Sequence, residues 1–368
     1  MTIDPIIPDY TSACLSNIVP ALLEHPVIGS GWLPDEVLAA QKVVLLLVDG
    51  LGYEKFKISK QKEIVPNLAK MNHKRIMTVA PTTTATALTS LTTGRPPGEH
   101  GIIGYKINVG NQTLNSLRWT TGSGVAVNEI NPSSFQPIPP FLGEKIPAVS
   151  PVEFRNSGFT EAHLRNTYYE GYFLSSNITH HIAQCLDQDS RLVYAYYDGI
   201  DKVGHIHGTG HFYDAEIALV DYLIGQIYKM LPSGTALIVT SDHGMVDVGD
   251  SVIEINDSLM QRTNSISGEA RFLWFHPARG NHESLLRDLQ DLYGNCAWVR
   301  TKDQILDEGW FGRQISDQAK ERLGEIALLA RDPVAFLDKE NPGPKLVGRH
   351  GSLTKTEVYV PLITSFKE

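Results

Sequence analysis

The chain has 368 residues, a formal net charge of −9, and 42 % hydrophobic against 20 % charged side chains. These are globular proportions, which exclude disordered and fibrous classes. The acidic balance argues against a nucleic-acid polymer or an anionic membrane as partner, since both need a basic footprint.

The length fits two domains, or one large α/β domain carrying an insertion. The opening stretch MTIDPIIPDYTSAC has neither a basic region nor a long apolar one, so no secretory signal is expected. The strongest apolar run, VVLLLV at 43–48, is far short of the roughly 18 residues a membrane span needs. A soluble, cytoplasmic protein is expected. Cys14, Cys185 and Cys296 stand far apart, and suggest neither a disulfide framework nor a structural zinc site.

In chain order, VVLLLVDG (43–50) rises through apolar residues and stops at Asp49. Continuous apolar runs of this kind fit strands of a parallel sheet, buried on both faces. APTTTATALTSLTTG (80–94) brings Thr82, Thr83, Thr84 and Thr86 ahead of or into a helix over 85–94, closed by Gly94. Residues 105–160, rich in Gly, Pro, Asn and Ser, predict long loops over one edge. RLVYAYYDG (191–199) is a second strand ending at Asp198, with Asp201 and His205 just beyond. A helix follows over 213–231, closed by Pro232, and TALIVTSDHG (235–244) is a third strand ending at Asp242 and His243. This alternation predicts a doubly wound α/β fold with a mostly parallel sheet.

From 258 to 343 the pattern changes. Residues 269–277 and 296–302 read as strands, 282–294 as a helix and 325–333 as a fourth element. We expect a small α+β cap at 258–343, inserted into a core made of 1–257 and 344–368. GRHGS (348–352) then presents His350 in a glycine-flanked loop.

Open α/β sheets bind ligands at the carboxyl ends of their strands, where this sequence repeatedly places polar residues. One Asp after a strand is ordinarily a turn former or a helix cap. The ensemble is different: Asp49, Asp201, Asp242, His205, His243 and His350 offer the oxygen and nitrogen ligands that suit zinc or manganese. A threonine hydroxyl at a helix N-terminus sits where backbone N–H groups attract an anion, and metal coordination makes such a hydroxyl nucleophilic. Other polar candidates are His207 and His211 near the cleft, Arg271 for a substrate phosphate, and Trp119, Tyr168, Tyr169 and Tyr172 for stacking a base.

Five pieces, VDGLG (48–52), PTTTATALTSLTTGRPPGEHGI (81–102), DKVGHIHG (201–208), SDHGM (241–245) and RHGS (349–352), occur in one order over most of the chain. Together they resemble the type I phosphodiesterase/nucleotide pyrophosphatase family of the alkaline phosphatase superfamily. The resemblance implies an alkaline phosphatase-like core and two divalent ions, zinc with manganese as the alternative. It implies Asp49, Asp242, His243 and the nucleophile hydroxyl on one ion, and Asp201, His205 and His350 on the other. It puts the nucleophile at Thr84, and its D-x-x-G-H spacing selects Asp201 over Asp198. Where many family phosphodiesterases carry an Asn on the phosphoryl oxygen, this chain has Tyr105, a candidate substrate contact, with Asn108 three residues on.

The expected activity is hydrolysis of a phosphate diester or pyrophosphate in a small nucleotide-like substrate, through a phospho-threonine intermediate. The alternatives on the same fold are a phosphomonoesterase, a phosphonoacetate-type hydrolase and a phosphomutase. A non-catalytic metal-binding module is the alternative from another class.

Overall fold

The computed structural model describes residues 4–24, 31–187, 190–339 and 343–368. Its central sheet has seven strands: β1 (Lys42–Val48), β2 (Asn72–Met77), β3 (Pro147–Pro151), β4 (Tyr168–Tyr172), β5 (Leu192–Tyr197), β6 (Thr235–Thr240) and β7 (Tyr359–Phe366). Their spatial order is β2-β7-β6-β1-β5-β3-β4. β1 lies parallel between β6 and β5, with Leu47 opposite both Thr240 and Tyr196. Only β7 runs against the rest, antiparallel to β6 and to β2.

Period-two alternation sorts the side chains of the middle strands. Val43, Leu45 and Leu47 of β1 enter one apolar cluster with Tyr194, Tyr196, Ala236 and Ile238. Val44, Leu46 and Val48 enter another with Val193, Ala195, Leu237 and Val239. Helices cover both faces, which is why these strands read as unbroken apolar runs. Helix α1 (Thr84–Thr93), buried over its whole length, closes the first face through Ala85, Ala87, Leu88 and Leu91. Helix α2 (Gly199–His207) follows β5, and α3 (His211–Met230) closes the second face through Tyr213, Ile217, Val220, Ile224 and Ile227. Each such aliphatic side chain contributes about 1.5–3 kcal/mol of burial. Gly94 ends α1 in the left-handed conformation, φ 67°, as expected of a glycine just past a helix.

A second sheet of eight strands stands beside the first. Thr263–Glu269 and Phe272–Pro277 form an antiparallel hairpin, followed outward by Ile326–Ala330 and Ala297–Thr301. The helix His282–Tyr293 packs Leu285, Leu289 and Tyr293 against one face of this sheet. The other face, with Phe272, Trp274, Trp298 and Leu329, joins the main core.

On its inner edge the sheet continues, through Gly268 opposite Lys106, into the hairpin Lys106–Val109 and Gln112–Asn115. Residues 105–160 are therefore not simply loops: they supply part of this sheet and β3 of the other. The Gly110-Asn111 turn between two four-residue strands was the available signal. Their half-buried polar residues hid the alternation. No helix among the described residues is long and apolar enough to cross a membrane.

Candidate metal centre

Because β5, β1 and β6 are neighbours, the residues that follow them converge at one end of the sheet. Asp49 leaves β1, Asp201 and His205 ride on α2 after β5, and Asp242 and His243 leave β6. His350 comes from the loop ahead of β7, and Thr84 is the first residue of α1. Two glycines make this convergence possible. Gly50, at φ 81°, lies where a Cβ would stand 3.0 Å from the Asp201 Cα. At Gly244, next to His243, a Cβ would stand 1.9 Å from the Thr356 carbonyl oxygen.

Asp49 and Asp242 each keep one oxygen held by hydrogen bonds and one unpaired, whereas Asp201 has one oxygen facing only imidazole and the other unpaired. The Tyr196 hydroxyl donates to Asp49 Oδ2 at 2.5 Å, and Asp49 Oδ1 is left unpaired. The Gly50 and His243 N–H groups both donate to Asp242 Oδ1 at 3.0 Å, and Asp242 Oδ2 is left unpaired. Asp201 Oδ2 lies 3.3 Å from His205 Nε2, and Asp201 Oδ1 is unpaired, 3.8 Å from His350 Nε2.

The histidines are oriented in one way. Nδ1 faces a backbone carbonyl in each: Gly348 for His205 at 2.8 Å, Gly244 for His243 at 3.2 Å and Thr82 for His350 at 2.8 Å. With Nδ1–H donating there, the lone pair falls on Nε2, the atom turned toward the carboxylates. His243 Nε2 stands 3.4 Å from Asp49 Oδ1, 3.3 Å from Asp242 Oδ2 and 3.2 Å from the Thr84 hydroxyl. Ligand atoms of Asp49, Asp242 and His243 form one group within 4.8 Å, and those of Asp201, His243 and His350 form a second. His205 belongs to neither group; its Nε2 lies 3.3 Å from Asp201 Oδ2 and its ring 5.1 Å from that of His350.

The electrostatics call for positive charge. Burial, then Asp242 and Asp201, hold the Asp49 carboxyl well above its usual range. Burial also raises Asp201, against the pull of His205 and His243. Burial, then His243 and His205, keep His350 well below the usual imidazole range. Among the described residues the only ion-pair partners of Asp49, Asp201 and Asp242 are these histidines. Unpaired buried carboxylate oxygens beside imidazole nitrogens fit divalent cations with mixed oxygen and nitrogen preference.

The four threonines divide by role. Thr84 Oγ1 faces His243, whereas Thr82 latches the His350 loop. Its hydroxyl donates to the Ser352 carbonyl at 2.9 Å and accepts the Gly351 N–H at 3.0 Å. Thr83 stands at the N-cap position of α1 without a side-chain cap bond, and among the described residues the Thr86 hydroxyl is buried without a partner.

The remaining candidates lie elsewhere or do other things. The Tyr105 carbonyl accepts the Ser116 N–H at 2.8 Å, and among the described residues the Tyr105 hydroxyl bonds to none of the seven. Asn108 contacts His276 on the second sheet. Asp198 is paired with Lys202, one helical turn on, at 2.7 Å. His207 and His211 both lie against exposed Phe212. Trp119 is fully buried, its indole N–H on the Ile130 carbonyl, and the Tyr169 and Tyr172 hydroxyls donate to the Pro151 and Tyr196 carbonyls. Arg271 is fully buried against Glu357, away from any open surface.

Sequence reasoning missed Tyr196 and Glu269, and named Thr82 without its hold on the His350 loop. The Glu269 carboxyl lies 3.8 Å from His350 Nδ1 and is raised well above its usual range by burial, opposed by the Thr83 side chain. Alternation along β5 was the available signal for Tyr196: it shares a face with Leu192 and Tyr194.

A model of the type I phosphodiesterase / nucleotide pyrophosphatase family matches residues 43–120 and 110–353. Among solved structures, murine ectonucleotide pyrophosphatase / phosphodiesterase 5 superposes with a TM-score of 0.69 at 19 % identity, over 88 % of each chain. An inactive threonine-to-alanine variant of that protein, in complex with AMP, gives 0.67 at 19 % identity over 88 % of this chain and 87 % of that one. Phosphonoacetate hydrolase from Sinorhizobium meliloti, with phosphonoacetate bound, gives 0.66 at 13 % identity over 90 % of this chain and 91 % of that one. A curated relative, GPI ethanolamine phosphate transferase 2 of Kluyveromyces lactis, is 30 % identical over 105 residues, 27 % of this chain. The matched stretch spans 13 % of that relative's length.

Proposed function

Since the chain belongs to the type I phosphodiesterase/nucleotide pyrophosphatase family, within the alkaline phosphatase superfamily, we propose that it hydrolyses phosphate diester or pyrophosphate bonds through a phospho-threonine at Thr84. The substrate is a small nucleotide-like or phosphate-ester molecule. The core is 1–257 with 344–368, and 258–343 is the inserted cap, whose sheet the core's strands from 106–125 extend.

The observation that carries this reading is the Thr84 hydroxyl, at the head of a buried helix and 3.2 Å from His243 Nε2. Asp49, Asp242, His243 and Thr84 would hold one divalent ion, and Asp201, His205 and His350 a second. Zinc, with manganese as the alternative, supplies Lewis-acid charge there when bound. Thr84 Oγ bonds to phosphorus while the bond to the leaving-group oxygen breaks, and the proton Thr84 gives up ends on that departing oxygen. Water then attacks the phospho-threonine, and the Thr84 oxygen leaves with a proton to restore the hydroxyl. Ala87 is the first residue of α1 to donate back to Thr83. The N–H groups of Thr84, Ala85 and Thr86 have no acceptor within the helix and would be available to the developing charge.

Among the described residues no lysine or arginine bonds to Thr84. A monoester dianion carries one more charge to neutralise than a diester, so this supports the diester reading over a monoesterase. The AMP complex of the murine protein's inactive variant supports a nucleotide-like ligand. The likeness to phosphonoacetate hydrolase keeps a phosphonate substrate as the second reading.

A substrate panel with added zinc or manganese tests the choice. It compares bis-p-nitrophenyl phosphate, p-nitrophenyl phosphate, a nucleoside monophosphate aryl ester, a nucleotide sugar and phosphonoacetate. We expect the diester and nucleotide substrates to lead in kcat/KM. A lead by the monoester or by phosphonoacetate overturns the diesterase reading.

A further inference from the structure

The turn between Thr263–Glu269 and Phe272–Pro277 sends Arg271 into the interior, where it is fully buried. Its fork is bidentate: Nε donates to Glu357 Oε1 at 2.8 Å and Nη2 to Oε2 at 2.9 Å. Nη1 donates to the carbonyls of Asp332 at 3.0 Å and Val334 at 2.7 Å. The guanidinium is thereby fixed in plane and position by the cap sheet.

Glu357 passes that position to the site. Its carboxylate accepts the Ser352 N–H at 3.0 Å and the Thr354 hydroxyl at 2.6 Å. Its carbonyl accepts the Gly244 N–H at 3.0 Å. Gly244 follows His243. Ser352 lies two residues beyond His350, and its carbonyl accepts the Thr82 hydroxyl at 2.9 Å. Thr82 holds His350 Nδ1 at 2.8 Å and stands two residues before Thr84. The loops bearing His243, His350 and Thr84 are thus tied to one ion pair by hydrogen bonds.

We propose that Arg271 is a positioning residue: through Glu357 it sets the loops that carry His243, His350 and Thr84, and so couples the cap to phosphoryl transfer. This rests on the reading of the site given above. A buried ion pair is a weak source of stability compared with apolar side chains of the same volume. A bidentate Arg–carboxylate pair has instead a defined geometry that neither lysine nor an apolar pair reproduces.

Two variants test the proposal, Arg271→Lys and the double variant Arg271→Met with Glu357→Leu, with Arg271→Met alone as the reference for the double variant. All three are measured for kcat and KM on bis-p-nitrophenyl phosphate, zinc affinity and melting temperature. Arg271→Lys lowers kcat and zinc affinity about 10- to 100-fold, the usual cost of disturbing groups that orient metal ligands, with KM within about threefold. The double variant regains melting temperature relative to Arg271→Met alone, yet not kcat. Wild-type kcat and zinc affinity in either variant overturn the proposal, leaving the pair only structural. Where a variant does not melt cooperatively, Glu357→Gln, equal in shape and neutral, carries the same readouts. Thr84→Ala, run alongside, separates the two ideas. Turnover by Thr84→Ala refutes the phospho-threonine, whereas full activity in the Arg271 variants with Thr84→Ala inactive refutes only the positioning role.

Discussion

Tyr196→Phe removes one atom from the centre. The ring is 8 % exposed and packed in the main core, so phenylalanine fills the same space and opens no cavity. What is lost is the hydroxyl that donates to Asp49 Oδ2 at 2.5 Å. A hydrogen bond to a charged group contributes about 1.5–3 kcal/mol. At about 1.4 kcal/mol per tenfold, its loss weakens zinc binding by about 10- to 150-fold. The assay is a competitive zinc titration against a chromophoric chelator at fixed pH. Tyr194→Phe is the matched control, since that neighbouring hydroxyl is buried without a hydrogen-bond partner among the described residues. Its removal leaves zinc affinity unchanged and raises stability by about 1 kcal/mol, because an unsatisfied buried group is relieved. Equal zinc affinities for Tyr196→Phe and wild type would refute the reasoning.

His100 gives a pH signature independent of the metal centre. It is buried as neutral imidazole, its ring nitrogens on the Ser90 hydroxyl and the Ile102 N–H, and burial lowers it from 6.5 to about 3. The unfolded chain therefore binds more protons between those values, so stability is lost as pH falls below about 6.5. By pH 5 the loss is about 2 kcal/mol from this one group. Urea unfolding in chelator shows that slope, and His100→Gln flattens it; an unchanged slope refutes the assignment. Gly244→Ala forces a Cβ to within 1.9 Å of the Thr356 carbonyl oxygen. It costs about 1–3 kcal/mol as overpacking and displaces His243, with bound zinc per chain falling in elemental analysis. A wild-type zinc content with unchanged stability contradicts this.

Much of the candidate centre was legible because its carboxylates and imidazoles sit where a parallel sheet must put them. Runs such as VVLLLVDG name both the strand and the residue at its carboxyl end, and the pairing of β1 with β5 and β6 brings those ends together. What stayed hidden depends on contacts distant in sequence. Thr82 and His350 are 268 residues apart, and Tyr196 and Asp49 147. Arg271, read along the chain as a possible phosphate contact, meets its partner 86 residues on. The cap's continuation into Lys106–Val109 rests on a single pairing at Gly268, which leaves no pattern in the residues themselves. Tyr105 was read from its place in a motif, and among the described residues its hydroxyl makes no hydrogen bond to the candidate ligand side chains.

Acid quenching during turnover of bis-p-nitrophenyl phosphate, followed by peptide mapping, asks directly whether the nucleophile is Thr84. The account predicts a phosphorylated peptide modified at Thr84 in the zinc-loaded wild type. It predicts neither phosphopeptide nor turnover in Thr84→Ala, with zinc still bound. Phosphate on another residue, or steady turnover by zinc-loaded Thr84→Ala, would contradict it.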